Sequence, residues 1–235
     1  MIENENDNSN NYGLWRGQLN LLEELSKSEY DLVLKKAKRK TYRRNAILFE
    51  QNDYVRGFYI IESGWIRTFY TAASGKEITV GLWSTGDLIG APDYSFQNRL
   101  LAAEATKDST VLILENADID EFIRTIPSFA KCLIGALSFK VRWATSIFDR
   151  LATESLISRV AQTVLSLAHL HGKDGFGGTI VISEISHQDI ANMIGAARPS
   201  VSLALRQLEA SKHIKIGRKR LIVLNVEGLT EYSKH

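Results

Sequence analysis

Cysteine occurs once in the chain, at Cys132, so an internal disulfide and an iron–sulfur cluster held by four of its own thiolates are both excluded. Histidine is absent before His169. A two-histidine metal site, or a haem held by histidine, is therefore excluded from the N-terminal part, and neither cluster nor haem is expected. No apolar run reaches the length of a membrane span, and the N-terminus lacks the pattern of a secretory signal. A soluble, cytoplasmic chain without a membrane partner is expected. No nucleophile–base constellation, metal-ligand spacing or phosphate loop stands out, so the chain does not read as an enzyme. The formal charge is only +2, partly because Glu3, Glu5 and Asp7 offset basic residues elsewhere. Any basic surface must be local.

One stretch is strongly patterned, Ser186 to Ile214, SHQDIANMIGAARPSVSLALRQLEASKHI. Ser186 can cap a first helix, with Asp189 reaching back as an aspartate form of the capping box. Ile190, Met193 and Ile194 give that helix one apolar face. Gly195 supplies the left-handed turn, and the small Ala191 admits a close helix crossing. A second helix begins near Arg198, with Pro199 in its first turn, where a missing N–H costs no intrahelical bond. Val201, Ala204, Leu205 and Leu208 share its inner face by three-and-four spacing. Pro199, Ser202, Leu203, Arg206 and Ala210 then point outward, as on a helix that enters the major groove. An ordinary helical hairpin shows the same alternation. Two short strands follow, His213–Ile216 and Leu221–Asn225, around the basic tip Gly217, Arg218, Lys219 and Arg220. Between Ala196 and Arg220 there are seven Lys and Arg against one Glu. Helix, turn and basic hairpin agree on a DNA-binding winged helix-turn-helix.

The length suits two domains. Residues 1–12 are polar and expected to be disordered. Residues 13–127 are expected to form a sensor jelly roll with flanking helices, 128–152 a dimerisation helix, and 153–235 the winged-helix domain. The class is thus α+β. Leu19 to Lys40 reads as helix, broken near Ser26-Lys27-Ser28, with Leu21, Leu22, Leu25, Leu32 and Val33 as anchors. The basic run Lys35, Lys36, Lys38, Arg39, Lys40, Arg43 and Arg44 reads as a solvated face, with a second nucleic-acid surface or a contact for the transcription machinery as alternatives. Short β-rich runs (Ala46–Phe49, Phe58–Ile61, Trp65–Tyr70, Ile78–Leu82, Val111–Leu114) alternate with glycine-bearing turns, which points to a sandwich or jelly roll.

Asp118 to Ile126 reads as a short helix stopped by Pro127, and Ser128 as the cap of a long one reaching about Leu151. Ala130, Ile134, Leu137, Val141, Ala144, Phe148 and Leu151 repeat with 4-3-4-3-4-3 spacing, a coiled-coil seam suited to a second copy of the helix. Phe129, Leu133, Trp143 and Ile147 line a neighbouring face for the jelly roll. A hinge is expected at Ala152-Thr153. The next helix, Glu154–Leu170, carries Leu156, Val160, Val164, Leu167 and Ala168 inward, and Ile180–Ile182 reads as a strand.

From about residue 20 the chain resembles the CRP/FNR family of bacterial transcription regulators. The resemblance rests on GFYIIESGWIR, SGKEITVGLWSTGDLIG, SRVAQTVLSLA and SHQDIANMIGAARPSVSLALRQLE, in that order. It implies a cyclic-nucleotide-binding-type jelly roll, a dimer helix and a winged helix. Two departures follow from it. Where cyclic-AMP-binding members carry Gly-Glu-Leu and Arg-Ser, this chain has Gly90-Ala91-Pro92 and Arg99-Leu100. A carboxylate for the ribose and a hydroxyl for the phosphate are lost, so cyclic AMP in the usual mode is not expected, although Arg99 could still meet an anion. The Arg-Glu-x-x-x-Arg reading head becomes Arg198-Pro199-Ser200-Val201-Ser202-Leu203. Arg198 keeps the position that grips a guanine edge, while Pro199 and Leu203 cannot replace the lost polar contacts, so the operator should differ from a TGTGA-type half-site. His187 and Gln188 match the family's phosphate contacts, and Ser200 and Arg206 are expected to assist.

The expected function is a homodimeric regulator of a near-palindromic operator on double-stranded DNA. An unidentified small-molecule effector would gate it, and RNA polymerase would be a further partner. Effector contacts are expected from Gly90, Arg99, Trp83, Thr145 and Ser146, with Trp65, Tyr94, Phe96 and Trp143 as further aromatic candidates that equally suit a core. Cys132 reads as core filler or, alternatively, a redox sensor. A sensor acting through protein–protein contacts is the rival function.

Overall fold

The computed structural model describes residues 25–90 and 97–233. The expected tail at 1–12, the anchors Leu21 and Leu22, and the positions Ala91, Pro92, Tyr94 and Phe96 lie outside them. Helix α1 (Lys27–Lys36) starts at Ser26, where the expected break falls, and a reciprocal capping box with Glu29 holds its first turn. The expected continuation to Lys40 is corrected: Lys38–Tyr42 is a strand, β1. Its residues are mostly exposed, so no alternation marks it; backbone pairing with Ser109–Ile113 makes it a strand. Val33 is buried as an anchor, whereas Leu32 is exposed.

Strands β2 (Ile47–Phe49), β3 (Gly57–Ser63), β4 (Trp65–Thr71), β5 (Glu77–Ser84), β6 (Leu88–Ile89), β7 (Ala102–Ala105) and β8 (Ser109–Glu115) complete two four-stranded sheets, ordered β1-β8-β3-β6 and β2-β7-β4-β5. Every pairing is antiparallel, as in a jelly roll. β6 is too short, and β7 (AAEA) too poor in β-branched and aromatic residues, to show in the sequence. Arg67 on β4 bridges the carboxylates of Glu77 and Glu104 at 2.8 and 2.7 Å, tying its strand to both neighbours.

Helices α2 (Asn116–Thr125) and α3 (Pro127–Thr153) follow. Pro127 begins α3, which suits a residue without an N–H. The expected cap, Ser128, instead lies inside the helix and donates its hydroxyl to Glu29 at 2.7 Å. Ile119, Phe122, Phe129, Cys132, Leu133 and Ala136 pack with Phe58, Leu112 and Leu114 in one core. Phe129 lies between Phe58 and Phe122, with ring centroids at 6.4 and 5.2 Å. Cys132 is buried there as filler.

The chain divides into two compact units within α3, between Ser146 and Ile147. α3 runs through Thr153 and Ser155 caps the next helix, α4 (Leu156–His171), so the break falls at Glu154-Ser155, directly after the expected hinge position Ala152-Thr153. The second unit continues with β9 (Lys173–Asp174), β10 (Ile180–Ser183), α5 (His187–Ile194), α6 (Arg198–Ala210), β11 (Ile214–Gly217), β12 (Arg220–Val223) and α7 (Val226–Tyr232). Its sheet runs β11-β12-β10-β9. Val160, Val164, Leu167 and Ala168 of α4 pack with Ile190, Val201, Leu205, Leu208, Leu221 and Leu229. Leu156 only flanks this core, and α7 went unforeseen because its apolar content is slight. Among the described residues no single helix is long and apolar enough to cross a membrane.

Candidate nucleic-acid interface and effector cavity

The reading head is built by local rules. Ser186 and Asp189 form the capping box of α5, with the Ser186 N–H donating to Asp189 Oδ2 at 2.7 Å. Gly195 closes the helix at φ 69°, a conformation that strains any residue with a Cβ. α6 then begins at Arg198 with Pro199 in its first turn. Val201, Ala204, Leu205 and Leu208 are buried. Arg198, Pro199, Ser200, Leu203 and Arg206 are exposed, and Ser202 is half-buried. Leu203 keeps 60% of its surface in water, an apolar side chain held out on an otherwise polar face.

His187 Nδ1 lies 2.8 Å from the Ser202 hydroxyl, so two residues expected at the DNA hold each other across the helix pair. Burial, then the charges of Arg198 and Arg206, keep the His187 pKa below its ordinary value. Gln188 is exposed and donates to Asn192 Oδ1 at 2.7 Å. The wing is β11–β12, closed by the Gly217–Arg220 pair, with Arg218 and Lys219 at its tip. That is one residue tighter at each strand than expected, because Gly217 and Arg220 pair rather than turn. Arg218, Lys219 and Arg220 are all exposed. A concavity of about 270 Å³ lies between the elements, lined by Ser186, His187, Gln188 and Arg198 on one side and Lys219 and Arg220 on the other. Guanidinium, ammonium and imidazole groups converging on one hollow at a helix N-terminus suit a phosphate backbone. Glu209 was not foreseen: its Oε1 accepts the Ile216 N–H at 2.7 Å, linking α6 to the wing.

In the basic run near the N-terminus, at least three of the seven cations are paired with carboxylates. Lys36 meets Glu121 and Asp118 at 3.0 and 3.6 Å, Lys38 meets Glu115, and Arg39 meets Glu62 through two nitrogens at 2.6 and 2.7 Å.

In the jelly-roll unit, Trp83, Gly90 and Arg99 line one cavity of about 270 Å³, with Phe49, Thr68, Lys140, Trp143 and Ala144. Trp83 donates its indole N–H to Thr68 at 2.8 Å and meets Trp143 edge-on at 6.1 Å. Arg99 is buried; it donates to the Gly57 carbonyl at 2.8 Å and stacks 4.0 Å over Phe49. Gly90, at φ 66°, is left-handed, and a Cβ there would run into the Arg99 guanidinium. Thr145 and Ser146 are exposed, lie off this lining and donate back to the Val141 and Trp143 carbonyls. Helical spacing is the reason, since positions 140, 143 and 144 share a face that 145 and 146 leave. Trp65 is likewise off the lining. Lys140, missed in the sequence, was detectable as a lone cation three residues before Trp143 on an apolar face.

Along α3, Ile134, Leu137, Val141, Ala144, Phe148 and Leu151 are exposed, with 64%, 66% and 72% of Ile134, Val141 and Phe148 in water. Phe129, Leu133 and Trp143 on the neighbouring stripe are buried.

Residues 39–125 match the cyclic nucleotide-binding domain family and residues 158–232 the Crp-like helix-turn-helix domain family. The chain is 30% identical over 194 residues to the cyclic AMP receptor protein of Thermus thermophilus, covering 82% of this chain and 87% of that one. It is 25% identical over 186 residues to the global nitrogen regulator of a Nostoc species, covering 78% and 83%. Among solved structures, a CRP/FNR-family transcriptional regulator from Thermus thermophilus superposes with a TM-score of 0.72 at 22% identity, over 84% of this chain and 99% of that one. With both domains matched in order on the expected fold, the chain belongs to the CRP/FNR family of transcription regulators.

Proposed function

We propose that this chain acts in the cytoplasm as a homodimer that binds a near-palindromic operator and is gated by a small-molecule effector other than cyclic AMP in its usual mode. The observation that carries the reading is the outer face of α6, where Arg198, Ser200, Leu203 and Arg206 stand in water above a fully apolar inner face. Arg198 grips a guanine edge, Leu203 touches a thymine methyl, and His187, Gln188 and the Arg218–Arg220 wing hold phosphates. Dimerisation is supported by the exposed apolar stripe of α3, which has the period of a two-stranded coil. Ala144 lies both on that stripe and on the cavity wall. An occupant of the cavity would therefore touch the helix that pairs, and bias two arrangements of it. RNA polymerase is the expected partner once the operator is bound.

Selection of operators from random duplexes by the full-length protein tests this reading. It predicts paired half-sites about one helical turn apart, with a preference distinct from TGTGA. Enrichment of no sequence, or of single half-sites, would count against it.

A further inference from the structure

We infer that the jelly-roll cavity takes a small organic carboxylate with an apolar body, its acid group received by Lys140. The inference rests on the effector reading above and supplies its ligand class.

Lys140 is an ill-matched cation. The Lys140 ammonium sits 3.6 Å over the Trp83 ring, and among the described residues no carboxylate lies within ion-pair distance of it. An indole face answers positive charge, yet it offers the three ammonium N–H groups no lone pair. Lys140 keeps some contact with water but is crowded by apolar neighbours, and this desolvation lowers its pKa to about 8 against the pull of Asp87. A carboxylate entering the cavity would restore the missing acceptor, and it would do so in surroundings that strengthen the pair.

The other cation is differently placed. Arg99 already holds the Gly57 carbonyl, stacks on Phe49 and is packed against Gly90. Part of its fork is engaged by the fold, and the guanidinium adds positive field to the cavity wall. The remaining wall is aromatic and aliphatic, with Trp83, Trp143 and Phe49 around about 270 Å³. A lining of this kind favours a ring or an acyl chain with a short acid arm over the polar ribose and phosphate of a nucleotide.

Isothermal titration of the full-length protein tests the assignment with phenylacetate, indole-3-acetate and octanoate as probes. Phenylacetamide and indole-3-acetamide serve as neutral counterparts. At least one acid should bind with a Kd below about 1 mM, and about tenfold or more tighter than its amide. Lys140→Met should lose about tenfold or more for that acid and keep the amide within about twofold. Its melting midpoint should be no lower than wild type, because a half-buried, poorly paired cation is removed. Lys140→Gln repeats the test with a polar neutral side chain. Binding of no acid, equal binding of acid and amide, or unchanged acid binding by both variants overturns the ligand class. Operator binding measured on the same preparations separates the two readings. A chain that binds duplex but no acid refutes the carboxylate alone. One that binds acid but no duplex supports the carboxylate and refutes the regulator.

Discussion

Glu209 Oε1 accepts the backbone N–H of Ile216 at 2.7 Å, so the last turn of the reading helix sets where the first wing strand starts. The same carboxylate is the only acidic side chain between Ala196 and Arg220. Its position explains why an acid persists in a basic patch. Glu209→Ala should cost about 1.5–3 kcal/mol of stability, the range for hydrogen bonds to charged groups. It should weaken operator binding while the preferred bases stay unchanged, because the wing loosens but the reading face does not. Glu209→Gln keeps an acceptor and should recover most of the loss. Urea unfolding and fluorescence anisotropy check both statements.

Arg198 and the wing should fail differently. Arg198→Ala should cost about 1–3 kcal/mol on the selected operator and relax preference at one base position. Lys219→Ala should weaken all sequences alike and reduce the salt slope by about one. Competition binding across single-base operator variants, at several salt concentrations, separates the two.

The exposed stripe of α3 makes a prediction about assembly. Val141→Asp and Phe148→Asp place charges where each native side chain stands mostly in water in the single chain, so the fold should survive. Sedimentation should show monomers with unchanged circular dichroism, and operator affinity should fall steeply. Dimers that persist in both variants would remove the stripe from the interface.

Operator binding should also depend on pH through His187. In the free protein, burial and the charges of Arg198 and Arg206 on α6 keep this imidazole below its ordinary pKa, and Lys219 and Arg220 of the wing share its hollow. It is therefore neutral at pH 7.5. A phosphate in that hollow favours the protonated form and raises the pKa, so protons are taken up on binding. Affinity should rise as pH falls from about 7.5 towards about 6, and His187→Gln should flatten that dependence. For stability the sign is opposite. A depressed histidine pKa leaves a contribution present at neutral pH that is lost as the solution acidifies through the unfolded value near about 6.5.

The reading head was legible in the sequence almost residue by residue, because caps, a left-handed glycine and three-and-four spacing are local. Ser186, Gly195, Pro199 and the buried set from Val201 to Leu208 all follow such rules. The strands β1 and β7 were not legible. Lys38–Tyr42 and Ala102–Ala105 owe their conformation to partners far along the chain, and carry charge or alanine where β-branched residues are the usual mark. The effector side divides in the same way. Gly90 and Arg99 were picked out by the family resemblance and Trp83 as an aromatic candidate, and the three line one cavity although they are distant in sequence. Lys140 was overlooked, and Thr145 and Ser146 lie off the lining, since a rotation of one or two residues on α3 decides which side chains meet the cavity.

Paired binding is tested most directly by titrating full-length protein against a labelled duplex carrying two selected half-sites, at the selected spacing and with about five base pairs inserted between them. Two chains should bind the first duplex as a unit with a steep negative salt dependence, and the insertion should weaken binding by about a hundredfold or more, because it turns one half-site to the far side of the helix. Equal affinity for the two duplexes, or saturation by a single chain, would contradict it.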